Sequence, residues 1–275
     1  MSGYRPRRRP VVLLLGDSLT EQGGDPNLQG WVSLLQSQFC RSIDVVPRGL
    51  SGYNTRWYLK YAMPMIRGEI LSGLYTPTFI TLWLGANDAV LPFGSRSKQH
   101  VPLDTYQQNL VQLVEEVQSV APHASILMIT PPYVDDTERA RQSYMYSHGL
   151  MDRLNNVTGT YAAACVETAR NLSLPVLDLY ALLNAMPKRK RNRLLKDGVH
   201  FNPKGHKLVY KVLVAKIIAE FPRVARKLVK WQLPKYQDLP INTCFQIVHF
   251  DQIHTAETDA ASDVRNARLR IGDHG

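Results

Sequence analysis

Ser18 stands directly behind a short apolar run, in Leu15-Gly16-Asp17-Ser18-Leu19. A serine on the turn between a buried strand and a helix can expose its hydroxyl at the rim of a sheet, where the first N–H groups of the helix offer themselves to an anion. The same residue would also serve as a plain helix cap. A hydroxyl becomes a nucleophile only beside a base, and the base needs a partner that fixes its tautomer and stabilises the imidazolium. Asp197-Gly198-Val199-His200 holds both residue types, in a turn closed by Gly198 and followed by a helical segment. A helix-entry aspartate beside an incidental histidine is the alternative at that position. His206, inside the following helix, reads as structural.

Acyl transfer also needs donors for a developing oxyanion, each worth about 2.7–4 kcal/mol in mutagenesis of other enzymes. Two segments that follow apolar runs can supply them. Arg48-Gly49-Leu50-Ser51-Gly52-Tyr53-Asn54-Thr55 has glycines that let the backbone approach a ligand, which makes the Gly52 N–H a candidate. Gly85-Ala86-Asn87-Asp88 contributes the Asn87 amide, although such sequences also make ordinary turns. Ser51 is a rival nucleophile, but its surroundings lack the second glycine of a G-x-S-x-G elbow and it follows the second apolar run. No HExxH, P-loop or GxGxxG motif occurs, so neither a metal nor a nucleotide cofactor is implied.

These residues must be held by a scaffold, and the apolar pattern supplies one. Val11–Leu15, Ile43–Val46, Phe79–Leu84, Ile126–Ile129 and Val176–Leu179 are short, β-branched-rich runs that predict buried strands. Segments with helical spacing lie between them. In 104–121, Tyr106, Leu110, Leu113, Val114 and Val117 share a face behind Asp104 as the predicted N-cap. In 203–219, Asn202 is the cap, Pro203 opens the helix, and Leu208, Val209, Val212, Leu213 and Ile217 face inward. Strands alternating with helices predict an α/β fold, a parallel sheet with helices on both faces and ligands bound beyond the carboxyl ends of the strands. Asp178 onward is a further post-strand candidate for chemistry.

The 275 residues suit one large domain, and 44% hydrophobic with 20% charged residues excludes collagen-like, low-complexity and wholly disordered chains. Thirty-three Lys+Arg against 23 Asp+Glu give a formal charge of +10. That excess sits in residues 1–9, in 188–193 (KRKRNR) and in 222–235, none of which contains an acid, so the rest of the chain is net acidic. No zinc finger, RNP pattern or basic heptad accompanies these clusters, and nucleic acid is not expected as a partner. A binding protein acting through its basic segments is the reading from a different functional class. Cys40, Cys165 and Cys244 form no CxxC pair and argue for a reducing compartment. The apolar run behind the basic N-terminus is too short for a signal peptide, and no stretch approaches the roughly 18 apolar residues of a membrane span. A cytoplasmic location follows as the expectation. The predicted organisation is a basic arm over 1–9, a catalytic domain over 10–240 and a flexible tail over 241–275.

Taken together, Gly16-Asp17-Ser18-Leu19, Gly49-Leu50-Ser51-Gly52-Tyr53-Asn54-Thr55, Gly85-Ala86-Asn87-Asp88 and Asp197-Gly198-Val199-His200 resemble, in order and spacing, the blocks of the GDSL or SGNH hydrolase family. The Tyr53-Asn54-Thr55-Arg56-Trp57 extension is most similar to the isoamyl acetate-hydrolysing esterase branch. The resemblance covers residues 10–221. It implies a flavodoxin-like three-layer α/β/α sandwich with a five-stranded parallel sheet. It also implies Ser18 as nucleophile and oxyanion donor, Gly52 and Asn87 as the other donors, and His200 as base oriented by Asp197. The implied activity is hydrolysis of short-chain, acetate-type esters, with carbohydrate O-deacetylase, thioesterase and lysophospholipase as alternatives on the same constellation. The implied partners are a small-molecule ester and water, with no cofactor, and a homo-oligomer is compatible with the sequence. Pro47 is a departure: family members often carry Asn before the Arg-Gly of the second block.

Overall fold

The computed structural model describes residues 9–232 and 235–238. The predicted arm, apart from Arg9, and the predicted tail over 241–275 with Cys244 lie outside the described residues. Five parallel strands form one sheet: β1 (Val11–Gly16), β2 (Asp44–Gly49), β3 (Pro77–Trp83), β4 (Ser125–Ile129) and β5 (Val176–Leu177). Their order is β2-β1-β3-β4-β5, the flavodoxin-like order, whose switch point lies between β1 and β3.

Alternation of side chains along a strand divides the core in two. From β1, Leu13 and Leu15 join one apolar cluster with Tyr58, Ile66, Tyr106, Leu110, Val114 and Tyr161. Val12 and Leu14 point the other way and pack with Trp31, Leu35, Phe79, Val209, Leu213 and Val224. The first face is covered by the helices Met63–Leu71, Leu103–Val120 and Asn155–Asn171, the second by Trp31–Phe39, Pro203–Glu220 and Pro222–Val229. This is the three-layer α/β/α sandwich that the family resemblance implies.

The strands differ from the sequence expectation mainly at their ends. β2 begins one residue later than the apolar run and continues through Pro47, Arg48 and Gly49, paired with Leu14, Leu15 and Gly16. Proline is accommodated because β2 is an edge strand. β5 stops at Leu177, since Asp178 turns the chain by capping the helix Leu179–Asn184 through the Ala181 N–H. Helix 103–120 is not capped by Asp104: Pro102 occupies the cap position and makes no side-chain cap bond. Asn202 does cap its helix, accepting the Lys204 and Gly205 N–H groups, with Pro203 at the first turn. Val209, Leu213 and Ile217 are buried there, while Leu208 and Val212 are half-buried at the edge of the core.

The basic segments part company. Residues 222–229 form a helix that buries Val224, Ala225 and Leu228 and leaves its charges outside. The helix Lys188–Asn192 buries none of its residues, although Arg191 donates to the Asn184 carbonyl and covers the Tyr133 ring. Among the described residues no helix is long and apolar enough to cross a membrane.

Candidate active site

The loops after β1, β2 and β3 converge at the switch point. β1 ends at Gly16, and the next helix, Ser18–Glu21, is capped by Asp17, whose Oδ1 accepts the Leu19 N–H at 2.9 Å. Capping is therefore done by the residue before the serine, and the Ser18 hydroxyl is available elsewhere. The indole of buried Trp31 donates to the Leu19 carbonyl at 2.9 Å, which pins the short helix to the layer beneath. The Gly49 backbone meets this helix so closely that a Cβ there would strike the Glu21 nitrogen.

Ser18 Oγ lies 2.9 Å from His200 Nε2, across 182 positions of sequence. On the other side of the ring, His200 Nδ1 is 2.6 Å from Asp197 Oδ2. The Asp197 Oδ1 accepts the N–H groups of Val199 and His200 at 3.0 and 2.8 Å. Partial burial opposes ionisation of Asp197, but the bonds from the His200 ring and from these two amides outweigh it and hold the carboxyl well below the usual range. Two acceptor bonds to one oxygen and a ring donor on the other fix the carboxylate in the plane of use. The turn needs Gly198, which sits at φ +84°, with the Asp135 carbonyl and Arg139 side chain where a Cβ would point. The Gly198 carbonyl accepts the Asp135 N–H at 2.9 Å, so the loop beyond β4 holds the turn.

Gly52 also adopts positive φ, +81°. Its carbonyl accepts from Gln99 Nε2 at 2.9 Å, while the Gln99 carbonyl accepts from Asn54 Nδ2 at 2.8 Å. The loop thus has a polar strut of its own behind Pro47. Asn87, nearly fully buried, donates through Nδ2 to the Tyr53 carbonyl at 2.8 Å and accepts at Oδ1 from Arg153 at 2.7 Å. These partners fix which end of the amide is nitrogen. One N–H of that nitrogen is committed to Tyr53, and the second has no hydrogen-bond partner among the described residues. The neighbouring Asp88 accepts from the Thr55 amide and hydroxyl at 3.0 and 2.5 Å, tying the second and third blocks together. Burial raises its pKa to about 6 against those stabilising bonds, and burial likewise lifts that of Asp17 to about 7.

The structure brings Ser18, Asp197 and His200 into one hydrogen-bonded line. Asn87 is bonded to the carbonyl of Tyr53, the residue that follows Gly52. Ser51 stays apart from that line: its amide and hydroxyl are both taken by Glu21, at 2.7 and 2.8 Å. Asp178 takes the Thr130 hydroxyl as well as its cap and serves the fold. His206 is buried in its helix, edge-on to Phe201. Sequence reasoning missed Arg139, Asp152 and Arg153, which stand behind Asn87 and Asp197; nothing in their spacing distinguishes them from surface charges.

Comparison with known proteins agrees with this architecture. Residues 14–208 match the GDSL-like lipase/acylhydrolase family model. A GDSL esterase/lipase of Arabidopsis thaliana, At5g45920, is 37% identical over 213 residues, covering 77% of this chain and 87% of its own. The isoamyl acetate-hydrolyzing esterase 1 homolog of Mus musculus is 36% identical over 236 residues, or 84% and 88% of the two chains. Among solved structures, the lipase/acylhydrolase from Enterococcus faecalis superposes with a TM-score of 0.57 at 24% identity, over 76% of this chain and 96% of that one. An acetyl xylan esterase, AlAXEase, gives 0.59 at 16% identity, over 75% and 99%. The fold is an α/β sandwich, and the family model that spans residues 14–208 places it among the acylhydrolases. The chain belongs to the GDSL-like lipase/acylhydrolase family, and it is a carboxylic ester hydrolase.

Proposed function

We propose that the protein hydrolyses short-chain, acetate-type esters through an acyl-enzyme on Ser18, with His200 as general base and acid and Asp197 as its orienting partner. The observation that carries this reading is the line Ser18 Oγ, His200 Nε2, His200 Nδ1, Asp197 Oδ2, with contacts of 2.9 and 2.6 Å. Ser18 Oγ attacks the ester carbonyl as its proton passes to Nε2, and Asp197 stabilises the imidazolium. The charge that develops on the carbonyl oxygen is met by the N–H groups of Ser18 and Gly52 and by the free N–H of Asn87. His200 then gives its proton to the leaving alcohol. A water molecule, deprotonated by the same Nε2, attacks the acyl-enzyme and releases the acid, and the proton returns to Ser18.

Preference for a small acyl group is supported by the names of the mammalian relatives, isoamyl acetate-hydrolyzing esterase 1 homologs at 35–36% identity in Mus musculus, Rattus norvegicus, Bos taurus and Homo sapiens. The test is turnover of p-nitrophenyl acetate, butyrate and decanoate by the protein and by Ser18→Ala. Activity that vanishes in the variant and declines from acetate to decanoate is expected. Equal rates on acetate and decanoate would remove the short-chain assignment, and turnover retained by Ser18→Ala would remove the nucleophile.

A further inference from the structure

Arg153 is a fully charged side chain placed where charge is costly: its side chain is 5% exposed, and that of Asp152 is 1% exposed. Burying such groups is tolerated only when each donor and acceptor is matched. Here each branch of the guanidinium has a partner. Nε donates to the Ala86 carbonyl at 3.1 Å, Nη2 to Asn87 Oδ1 at 2.7 Å, and Nη1 to Asp152 Oδ2. Asp152 in turn receives Arg139 as a fork, Nε on Oδ1 at 3.0 Å and Nη2 on Oδ2 at 2.8 Å, with Arg96 at 3.7 Å on its outer side. Arg139 spends its remaining branch on the Asp197 carbonyl at 3.0 Å. A single chain of charged hydrogen bonds therefore runs from the Asn87 amide to the turn that carries His200.

We propose that Arg153 is a positioning residue for ester hydrolysis: by gripping Asn87 Oδ1 it fixes and polarises the amide whose free N–H meets the oxyanion, while Asp152 and Arg139 hold that grip in register with the Asp197–His200 turn. The proposal rests on the reading of Asn87 as an oxyanion donor.

Two physical effects combine. A guanidinium on the amide oxygen draws electron density from the nitrogen, so the N–H becomes a stronger donor, and hydrogen bonds in such a chain reinforce one another in a dry interior. The second effect is geometric. With Oδ1 held by Arg153 and one N–H by the Tyr53 carbonyl, the amide cannot rotate or flip without placing oxygen against oxygen. The other N–H is preorganised, so the transition state gains its stabilisation with no reorganisation. Because the oxyanion forms only after attack, loss of the grip lowers kcat and leaves ground-state binding of a small ester nearly unchanged. A residue that merely filled space would not show this split.

The test is a double-variant cycle on p-nitrophenyl acetate with Arg153→Met, Asn87→Ala and the pair, plus Arg153→Lys. Asn87→Ala is expected to lose about 10²–10³-fold in kcat, as for loss of an oxyanion donor elsewhere. Arg153→Met is expected to lose about 10–100-fold, by analogy with the loss of hydrogen-bond partners behind metal ligands elsewhere, with KM within about threefold. The double variant falls no further than Asn87→Ala alone. Arg153→Lys keeps the charge but not the planar fork and recovers part of kcat. Thermal melts on every variant identify any that fail to fold; should Arg153→Met be one, the cycle is run with Arg153→Lys. Losses that multiply in the double variant, or a kcat within twofold of wild type at position 153 while Asn87→Ala is slow, overturn the proposal alone. Full turnover by Asn87→Ala overturns the oxyanion reading itself, and the proposal with it.

Discussion

Asp17 Oδ1 accepts the Leu19 N–H at 2.9 Å, while its other carboxylate oxygen is buried without a hydrogen-bond partner. The aspartate that starts the helix thereby frees Ser18 for His200, at an electrostatic cost. Burial, with the nearby Asp88 charge adding to it, raises the Asp17 pKa from 3.8 to about 7. Between these values the native state holds a proton that the unfolded chain has released, so stability is lost as pH rises through this window. Asp17→Asn keeps the Oδ1 cap and removes the ionisation. The melting temperature of Asp17→Asn minus that of wild type should grow from pH 4 to pH 8, by a few degrees. A difference that stays flat across this range would mean Asp17 is ionised in the fold throughout.

Gly52 and Gln99 lead to a second prediction. Positive φ at Gly52 is the left-handed region, and a Cβ there would come within 3.1 Å of Gln99 Nε2. Gly52→Ala should cost about 1–2 kcal/mol from the backbone alone. Gln99→Leu leaves the backbone free of that strain and removes only the strut on the Gly52 carbonyl. It should lower kcat on p-nitrophenyl acetate by about 10-fold or more, since misplacing a group by an ångström can cost about 100-fold. Unchanged kcat in Gln99→Leu would show that the Gly52 loop holds its shape without it.

The scaffold was legible where burial was complete and local. β1, β3 and β4 are buried almost throughout and stand out as apolar runs, and the candidate segments Gly16-Asp17-Ser18 and Gly85-Ala86-Asn87, at or just after the ends of β1 and β3, were legible by residue type. β2 is half-buried at the sheet edge, so its second half, Pro47–Gly49, carried no apolar signal. The cap of helix 103–120 was misassigned to Asp104 because a carboxylate suits the second position of a helix as well as its cap. The network behind the site was invisible for another reason. Arg153 and Asn87 are 66 positions apart and Arg139 and Asp197 are 58 apart. Only tertiary burial separates Asp152-Arg153 from a solvated pair of opposite charges.

Asp197 binds His200 by its side chain and by its backbone turn, and the two roles can be separated. Asp197→Asn preserves an Oδ1 acceptor for the Val199 and His200 amides, so the turn should survive. On the proposed mechanism this substitution removes the carboxylate that would stabilise the imidazolium and select the tautomer, and kcat should fall by about 10⁴-fold, as in another serine triad. That loss should be smaller than for Ser18→Ala or His200→Ala, because the members act together but unequally. Activity within tenfold of wild type would show that His200 is oriented by other means.

His206 offers a control titration outside the Ser18–His200–Asp197 line. Both ring nitrogens are buried without a hydrogen-bond partner, and burial, reinforced by Lys196, lowers the pKa from 6.5 to about 4. Between these values the unfolded chain takes up a proton that the native ring refuses, so stability present near neutral pH is lost as pH falls from 6.5 towards 4. The direction is opposite to that of Asp17, which gains from the same acidification. His206→Leu keeps an apolar side chain against Phe201 and cannot titrate. Its melting temperature should decline less than that of wild type between pH 6.5 and 4, while kcat at pH 7.5 stays near the wild-type value. Parallel declines in the two proteins would assign the acid limb of stability to other groups.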